Sequence, residues 1–397
     1  MSKKKIAVVG LYSIPNIGDK ILCEVTQYLI KKIDKDIEIV EVDTIPQNSN
    51  ICINTFEKFK YAVSRVMNKT ASKIFKYQNK SKFRYKFEYL LWYLRLNSYF
   101  ERKLKDVDAI VFAGGGFIKF KTQGINYYVE LIVKIAKKYN KPIMFNSCGV
   151  EGYDKTDIRC SRLKKAINDD LVKVITIRDD IDTLQDKYIS NKSTLTSRVG
   201  DPALWTPQCY NINREEKREV VGINIIRGKI FSDYGNDLTS DKLRNFYINL
   251  IKELNRRNIE WVMFSNGLKS DQVEGEILLK KLGEDINKKL LKAPKTSKEM
   301  LKYIASFKSI FGARLHASIT AYSLDVPIVA LDWSEKTLVF SKIINKQEKF
   351  FNAQSLNDVN KIVDKIELSF TKKYDKTIRE NLKNLTIEYL EKFLNMI

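Results

Sequence analysis

The sequence predicts an α/β protein with two doubly wound, Rossmann-like domains that face a common cleft. Short apolar runs alternate with longer amphipathic stretches, a rhythm typical of buried parallel strands and the helices that cover them. Residues 202–219, which carry prolines and a cluster of charges, interrupt this alternation before it resumes. Because 397 residues exceed the usual size of one domain, two domains of this kind are the simplest architecture.

The first domain is expected to span residues 1–205. Its strands are predicted at residues 6–9, 37–42, 109–113, 142–147 and 172–177. Each of these runs is nearly continuous in apolar residues and leads into a polar turn and an amphipathic segment, as parallel strands buried on both faces do.

An insert of different character, about residues 56–105, separates the second strand from the third. Residues 58–105 hold fourteen Lys or Arg against only Glu88 and Glu101, interleaved with twelve aromatic residues. Three interpretations stay open: a solvated lysine-rich face over an aromatic core, a surface that docks on anionic lipid, or a nucleic-acid-binding surface. The net charge of +22 favours anionic partners without choosing among them. We expect peripheral contact with an anionic membrane and no nucleic acid.

The second domain is expected at residues 219–350, after a linker at 206–218. Its strands are predicted at residues 220–226, 261–265, 309–312 and 326–331, and its clearest helices at 240–257 and 270–282. Residues 351–397 are expected to form C-terminal helices, with a last helical pattern at 384–396 that packs back on the first domain.

The cysteine pattern and the hydropathy indicate the cellular compartment of the protein. The five cysteines form neither a C-x-x-C pair nor a regular framework, and no charged-then-apolar leader opens the sequence. No apolar run approaches the roughly 20 residues that span a bilayer. We therefore expect a cytoplasmic protein with reduced thiols, peripheral at the inner face of the cell membrane.

Open parallel sheets bind ligands at the carboxyl ends of their strands, and this rule selects the candidate residues of the first domain. Asn16, Gly18 and Asp19 follow the first strand, where Asp19 is either a helix cap or a site residue. Gly114-Gly115-Gly116 follows the third strand, and bare backbone there suits either a ligand or tight packing. Glu151 follows the fourth strand. Arg178 follows the fifth, either as a site residue or as a structural ion-pair partner.

The second domain places two arginines and the only histidine of the chain at strand ends. Arg227 follows its first strand, and Arg314 and His316 follow a later one. Histidine exchanges protons near neutral pH, and arginine grips carboxylate or phosphate with two hydrogen bonds. The alternatives are a hydrogen-bonded core histidine and arginines paired with carboxylates. With one histidine and no Cys/His or carboxylate cluster of suitable spacing, no metal site is expected.

At these residues the chain resembles the polysaccharide pyruvyl transferases. The likeness spans about residues 6–333, and the basic insert is not part of it. Its motifs, in chain order, are Asn16-Ile-Gly-Asp19, Gly114-Gly115-Gly116, Arg178-Asp179, Gly200-Asp-Pro-Ala203, Gly222-Ile-Asn with Arg227, Arg314-Leu-His316 and Pro327-Ile-Val.

The resemblance implies a fold like that of GT-B glycosyltransferases and a pyruvate ketal formed on a sugar of a cell-envelope polysaccharide or its lipid-linked precursor. It implies that the second domain binds phosphoenolpyruvate, the co-substrate, and that no further cofactor is needed. The implied donor-site residues are Arg227, Arg314, Leu315 and His316. The implied acceptor-side residues are Asn16, Gly18, Asp19, Gly115, Gly116 and Arg178.

The chemistry of the residues agrees with this expectation. Two arginines can neutralise the carboxylate and phosphate of phosphoenolpyruvate without a metal, and His316 is the available acid near neutral pKa. Asp19 or Glu151 could be the base for the acceptor hydroxyl, and the sequence does not rank them. The alternatives are a GT-B glycosyltransferase that uses a nucleotide sugar and a non-catalytic binder of anionic polymer.

Overall fold

The computed structural model describes residues 3–46, 54–74, 82–121, 123–214, 219–233, 238–371 and 375–397. Within the chain, contacts define two units. The first comprises Met1–Ser13, Leu22–Asp201 and Asn384–Ile397, and the second comprises Ile14–Ile21 and Pro202–Lys383. Each unit is built on one parallel β-sheet with helices around it. The predicted class, an α/β protein with two Rossmann-like domains, is confirmed.

The first unit carries a six-stranded parallel sheet in the order β2-β1-β3-β4-β5-β6. Its strands are β1 (Lys5–Gly10), β2 (Glu38–Asp43), β3 (Ala109–Ile118), β4 (Ile143–Val150), β5 (Val172–Ile177) and β6 (Leu195–Arg198). Its helices are α1 (Ile17–Ile33), whose first turns belong to the second unit, α2 (Thr55–Ile74), α3 (Lys82–Leu104), α4 (Ile125–Tyr139), α5 (Ile158–Ile167) and the short α6 (Ile181–Thr183), which a π-helical turn at Leu184–Tyr188 extends.

Burial explains the central strands of this sheet. Every residue of β4 is buried, as the nearly continuous apolar run predicts for a strand covered on both faces. Local signals set the helix ends: the Asp157 side chain accepts a hydrogen bond from the Arg159 backbone N–H at the start of α5, and Asn140 adopts the left-handed conformation at the end of α4.

The predicted end of the third strand at residue 113, before Gly114-Gly115-Gly116, is wrong, because β3 continues through the glycines to Ile118. Gly114 and Gly115 have φ angles of 67° and 78°, which residues other than glycine rarely adopt. The pairing of β3 with β4 shifts register between Gly115 and Ile118. The glycines therefore form an irregularity within a strand rather than a turn after it.

The insert forms the helices α2 and α3, apart from residues 75–81, which lie outside the described residues. Part of its aromatic content is structural, because Tyr99 and Phe100 of α3 lie in the core of the first unit. Other large apolar side chains face solvent: Phe59 is 65% exposed and Phe83 is 68% exposed. Both a buried aromatic face and an exposed one are thus present.

The second unit carries a five-stranded parallel sheet in the order β11-β10-β9-β7-β8. Its strands are β7 (Val221–Asn224), β8 (Trp261–Phe264), β9 (Ser309–Gly312), β10 (Ile328–Asp332) and β11 (Phe350–Asn352). Its helices are α7 (Thr206–Tyr210), α8 (Lys229–Asp233), α9 (Ser240–Arg256), α10 (Lys269–Leu282), α11 (Ile286–Lys289), α12 (Ser297–Ala305), α13 (Leu315–Ser323), α14 (Glu335–Ile343), α15 (Val359–Ser369) and α16 (Thr377–Leu394), whose last part belongs to the first unit.

The C-terminal segment has contacts of its own in the first unit. Leu390 and Phe393 are fully buried, and the Thr386 hydroxyl donates a hydrogen bond of 3.1 Å to the Gly200 carbonyl. In the described part of the chain, no helix is both long and apolar enough to cross a membrane.

Candidate active site

The Arg314-Leu-His316 motif lies where β9 ends and α13 begins. Arg314 is the N-cap residue of this helix, and Leu315 and His316 form its first turn. The helix packs directly on the strand, because a Cβ atom on Gly312 would lie 2.3 Å from the Ser318 hydroxyl. His316 is 9% exposed. The first-turn N–H groups of a helix lack partners within it, so the Leu315 N–H lies in a turn suited to an anion.

A buried carboxylate fixes the guanidinium of Arg314. Asp271, in the first turn of α10, is fully buried. Arg314 Nε donates to Asp271 Oδ2 at 2.9 Å, and Nη2 donates to Oδ1 at 2.8 Å. Asp271 Oδ1 also accepts a hydrogen bond of 3.1 Å from the Arg227 backbone N–H. One carboxylate therefore brings the loops after β7 and β9 together.

Asn224, the last residue of β7, connects the loops at the same edge of the sheet by hydrogen bonds. Its Oδ1 accepts a hydrogen bond of 2.9 Å from the Arg314 N–H, and its Nδ2 donates to Asn266 Oδ1 at 3.0 Å. The Tyr247 hydroxyl donates to the Asn224 carbonyl at 3.0 Å. Burial raises the pKa of Tyr247, so its phenol stays neutral and keeps this donor role.

The Asn16-Ile-Gly-Asp19 motif contacts His316 directly. A Cβ atom on Gly18 would lie 2.4 Å from His316 Nδ1 and 2.7 Å from its Cγ. Only a residue without a side chain therefore fits against the imidazole in this arrangement. Two motifs that are almost 300 residues apart in the sequence meet at one histidine.

Residues 14–21 belong to the second unit, whereas they were expected on the acceptor side with the first domain. The Ile17 N–H donates a hydrogen bond of 2.9 Å to the Asn266 carbonyl. Gly267, with φ of 91°, allows the close approach, because a Cβ atom there would lie 2.6 Å from the Pro15 carbonyl oxygen. The predicted acceptor role of Asn16, Gly18 and Asp19 stays a prediction.

Two buried polar atoms near this contact have no hydrogen-bond partner among the described residues. They are Asn16 Oδ1 and Asn266 Nδ2. Asn16 Nδ2 donates to Asp19 Oδ2 at 2.8 Å, which fixes the orientation of both side chains. Because an unsatisfied buried polar atom costs about 1–3 kcal/mol, these atoms favour a site that a polar ligand or water completes.

The remaining candidate residues lie in the first unit. Arg178 forms a buried ion pair with Asp201, which accounts for its position structurally. Lys119 Nζ lies 3.6 Å from Glu151 Oε1. Gly115 and Gly116 lie in the irregular part of β3. The structure thus brings Gly18, Asp19, Arg227, Arg314, Leu315 and His316 into one unit, and it places Glu151, Gly115, Gly116 and Arg178 in the other.

The described residues contain no group of three His, Cys, Asp or Glu side chains that could hold a metal ion. Cys23, Cys148, Cys160 and Cys209 form no disulfide bond, and Cys52 lies outside the described residues. Burial raises the pKa of the Cys148 thiol, so this cysteine is a poor nucleophile at neutral pH.

Sequence reasoning missed two residues of the site. Asp271 looks like any acidic residue in the first turn of a helix, and only its burial reveals it as the partner of Arg314. Asn266 lies two residues after the end of β8, so the strand-end rule could have selected it together with Gly267.

The chain is similar to known proteins in sequence and in fold. The family model for polysaccharide pyruvyl transferases matches residues 16–335. No curated protein matches the chain. Among solved structures, the UDP-GlcNAc 2-epimerase from Neisseria meningitidis bound to UDP-GlcNAc is similar over 98% of this chain and 100% of its own, with 11% identity and a TM-score of 0.58.

Two further structures show the same fold. The S. aureus MnaA–UDP co-structure is similar over 100% of this chain and 98% of its own, with 12% identity and a TM-score of 0.55. The α,α-trehalose 6-phosphate synthase from Burkholderia multivorans is similar over 100% of this chain and 98% of its own, with 8% identity and a TM-score of 0.53. At these identities the likeness shows the fold alone, which is GT-B-like as predicted.

Proposed function

Because the chain belongs to the polysaccharide pyruvyl transferase family, we propose that it transfers the enolpyruvyl unit of phosphoenolpyruvate to two hydroxyls of a sugar. The product is a pyruvate ketal on a cell-surface polysaccharide or on its lipid-linked precursor, and phosphate is released. One observation carries the proposal: a single buried carboxylate, Asp271, binds both the Arg314 guanidinium and the Arg227 backbone N–H. Arg314 lies two residues before His316, the only histidine of the chain.

Phosphoenolpyruvate suits this edge of the second sheet because it carries a carboxylate and a phosphate on a small frame. Arg227 and Arg314 supply positive charge there. Asp271 already occupies Nε and Nη2 of Arg314, so Nη1 and the outer proton of Nη2 are the groups of Arg314 directed to the donor. We propose that Arg227 provides the second cation and the Leu315 N–H a neutral donor. No metal or further cofactor is part of the proposal.

His316 is proposed as the acid that protonates C3 of the enol. C2 then becomes cationic, and a sugar hydroxyl attacks it. The C2–O bond to phosphate breaks, and the second hydroxyl attacks C2 to close the ketal. The two hydroxyls lose two protons in total, of which one ends on C3 and the other on phosphate. Asp19, in the same unit as His316, is proposed as the base for an acceptor hydroxyl in preference to Glu151.

The competing function is transfer from a nucleotide sugar, since two structures of similar fold contain UDP or UDP-GlcNAc. One experiment separates the two. The protein is incubated with phosphoenolpyruvate or UDP-sugars and a panel of lipid-linked and nucleotide-linked sugars. Phosphate release together with the mass gain of one pyruvyl unit on the acceptor is the expected result. Release of UDP without consumption of phosphoenolpyruvate would contradict the proposal and show that the protein is a glycosyltransferase.

We also propose that the protein works in the cytoplasm at the inner face of the cell membrane, where a lipid-linked acceptor would be presented. The exposed Phe59 and Phe83 side chains, which lie among lysines of α2 and α3, support contact with an anionic surface. Such contact would be peripheral.

A further inference from the structure

The first unit contains a cavity that the basic insert helps to build. Its volume is about 210 Å³. Phe120 and Lys121, directly after β3, form one side, and the first turn of α4 forms another. The insert supplies the third side through Trp92 and Arg95 of α3. The cavity therefore lies at the carboxyl edge of the parallel sheet, where open α/β sheets bind ligands.

An unsatisfied amide lines this cavity. Asn126 is 1% exposed, and neither its Nδ2 nor its Oδ1 has a hydrogen-bond partner among the described residues. A buried amide without partners costs about 1–3 kcal/mol, and a ligand in the cavity would remove this cost. One amide offers a donor and an acceptor side by side, which matches two neighbouring hydroxyls of a sugar.

Aromatic rings form the walls beside this amide. Trp92 and Tyr127 are stacked with their ring centroids 6.5 Å apart and their planes 24° apart. Gly124 makes room for the indole, because a Cβ atom there would lie 3.2 Å from Trp92 Cζ2. The volume is below the ~300–1,000 Å³ of sites that enclose a whole drug-sized ligand, so the cavity suits one sugar ring with its apolar face on an aromatic wall.

Charge in the lining favours an anion. Three cations, Arg95, Lys121 and Arg159, line the cavity against one carboxylate, Glu88. Arg159 is paired with Asp157, since its Nε donates to Oδ1 at 3.1 Å and its Nη2 donates to Oδ2 at 2.7 Å, so Arg95 and Lys121 carry the charge argument. Glu88 is already engaged, since Arg84 Nε donates to it at 2.7 Å and the Tyr127 hydroxyl also donates to it. No side chain caps the N-terminus of α4, so the positive end of that helix adds to the field.

We propose that this cavity binds a glycosyl phosphate, meaning a sugar ring bonded to a phosphate group. Asn126 and the Trp92–Tyr127 walls bind the ring, and the cations hold the phosphate. The identification of this sugar with the pyruvylated acceptor rests on the proposed function, whereas the binding itself does not. A soluble sugar phosphate and a lipid-linked sugar diphosphate share this chemistry, and the two arms of the binding experiment distinguish them.

Direct binding tests the inference without any turnover. Isothermal titration calorimetry uses the 1-phosphates of glucose, galactose, mannose and N-acetylglucosamine, with the free sugars and inorganic phosphate as controls. At least one glycosyl phosphate is expected to bind ~10-fold or more tightly than either of its parts. A polyprenyl-diphosphate-linked N-acetylglucosamine in detergent micelles forms the second arm, and tighter binding there would identify the lipid-linked source.

Asn126→Leu is the decisive variant. The replaced amide has no partner, so the melting temperature should stay the same or rise while glycosyl phosphate affinity falls at least ~10-fold. Arg95→Gln should weaken the glycosyl phosphate but not the free sugar. Lys103 is an exposed cation of α3, the helix that also carries Arg95. Lys103→Gln is therefore the matched control and should change neither the melting temperature nor the affinity for glycosyl phosphate.

Two results would overturn the inference. One is a wild-type protein that binds no glycosyl phosphate more tightly than inorganic phosphate. The other is an Asn126→Leu protein, folded by its melting curve, that binds as the wild type does. Binding without any consumption of phosphoenolpyruvate would refute the proposed function and leave this site standing. An unchanged acceptor KM in Asn126→Leu would show that the cavity is not the acceptor site.

Discussion

At the scale of single residues, the contact between Gly18 and His316 ties the N-terminal motif to the proposed acid. The imidazole lies in the first turn of α13 with Gly18 against its Nδ1 side. A histidine confined in this way loses little rotational freedom when the donor binds, which is a condition for positioned proton transfer.

The first prediction concerns His316→Gln, which keeps a polar side chain of similar size but removes the acid. The chemical step should slow at least ~100-fold, the usual scale for general acid catalysis, while donor binding stays measurable. Single-turnover kinetics with phosphoenolpyruvate, combined with calorimetric binding, measures both. Turnover near the wild-type rate would mean that another group protonates the enol.

Gly18→Ala tests the same contact from the other side. The added Cβ atom must displace the imidazole, so kcat should fall, and overpacking should cost ~1–3 kcal/mol of stability. Gly283→Ala is the control: Gly283 has φ of 70° and open space around its Cβ position, so alanine there costs stability through strain alone. Steady-state kinetics and melting curves are compared. If both variants keep the wild-type kcat, Gly18 does not position His316.

The two arginines should respond differently to lysine. In either variant, apparent affinity for phosphoenolpyruvate should fall by ~1–3 kcal/mol, the range for a charge-assisted hydrogen bond, with little change for the acceptor. Arg314→Lys should also lower the melting temperature, because lysine cannot reproduce the two hydrogen bonds to the buried Asp271. Arg227 is half-buried, and its backbone N–H, which lysine retains, makes the bond to Asp271.

KM for both substrates and melting temperatures measure this difference. Equal losses for donor and acceptor would show that the arginines serve the fold rather than the donor site. A melting temperature that falls equally in both variants would contradict the assigned role of Asp271.

The sequence predicts the arginines and His316 as candidates because they follow strands of a parallel sheet, and because arginine binds anions and histidine exchanges protons near neutral pH. It does not predict Asp271, because an acidic residue in a first helical turn is commonplace. Burial and distance distinguish this carboxylate, and both arise from the packing of α10 against the loops after β7 and β9. Arg178 shows the converse, since one of the two interpretations open to it, an ion pair, is present with Asp201.

At the scale of elements, strand existence follows from apolar runs but strand ends do not. β9 has the predicted bounds, whereas β3 continues through three glycines that look like a turn. Pairing with β4 keeps this segment in the sheet, and a local sequence pattern does not contain that information. β6 was not predicted because Leu195–Arg198 contains only one apolar residue, and β11 was not predicted because it is only three residues long.

The insert helices give a prediction at this scale. Lys58, Lys82 and Lys86 are exposed near Phe59 and Phe83. Each lysine near an anionic surface contributes about 1 kcal/mol, so their replacement by Gln should weaken vesicle binding by ~100-fold or more. Activity on a soluble acceptor analogue should be spared. Co-sedimentation with phosphatidylglycerol vesicles at low and high salt measures the binding.

A matched variant controls for net charge. Lys280, Lys281 and Lys288 are exposed in the second unit, and their replacement by Gln removes the same three charges elsewhere. This control should sediment as the wild type does. A wild-type protein that stays in the supernatant even at low salt would leave the insert as a solvated face over its aromatic core.

At the scale of the whole molecule, the two units are not continuous segments of the chain. Residues 14–21 follow the first strand of the first unit but pack within the second, and residues 384–397 return to the first unit. No periodicity or motif spacing carries this information, since it depends on contacts between positions far apart in the sequence, such as Ile17 with Asn266.

The two units have separate hydrophobic cores, so unfolding is expected to show two transitions. Leu163 is fully buried in the first core and Leu250 in the second, and each Leu→Ala change should cost ~2–5 kcal/mol in its own unit. If the second unit binds the donor, phosphoenolpyruvate should raise the transition that Leu250→Ala lowers and leave the other unchanged. Differential scanning calorimetry of both variants, with and without phosphoenolpyruvate, assigns each transition. Stabilisation of the transition that Leu163→Ala lowers would instead place the donor in the first unit and refute the assignment of Arg227, Arg314 and His316.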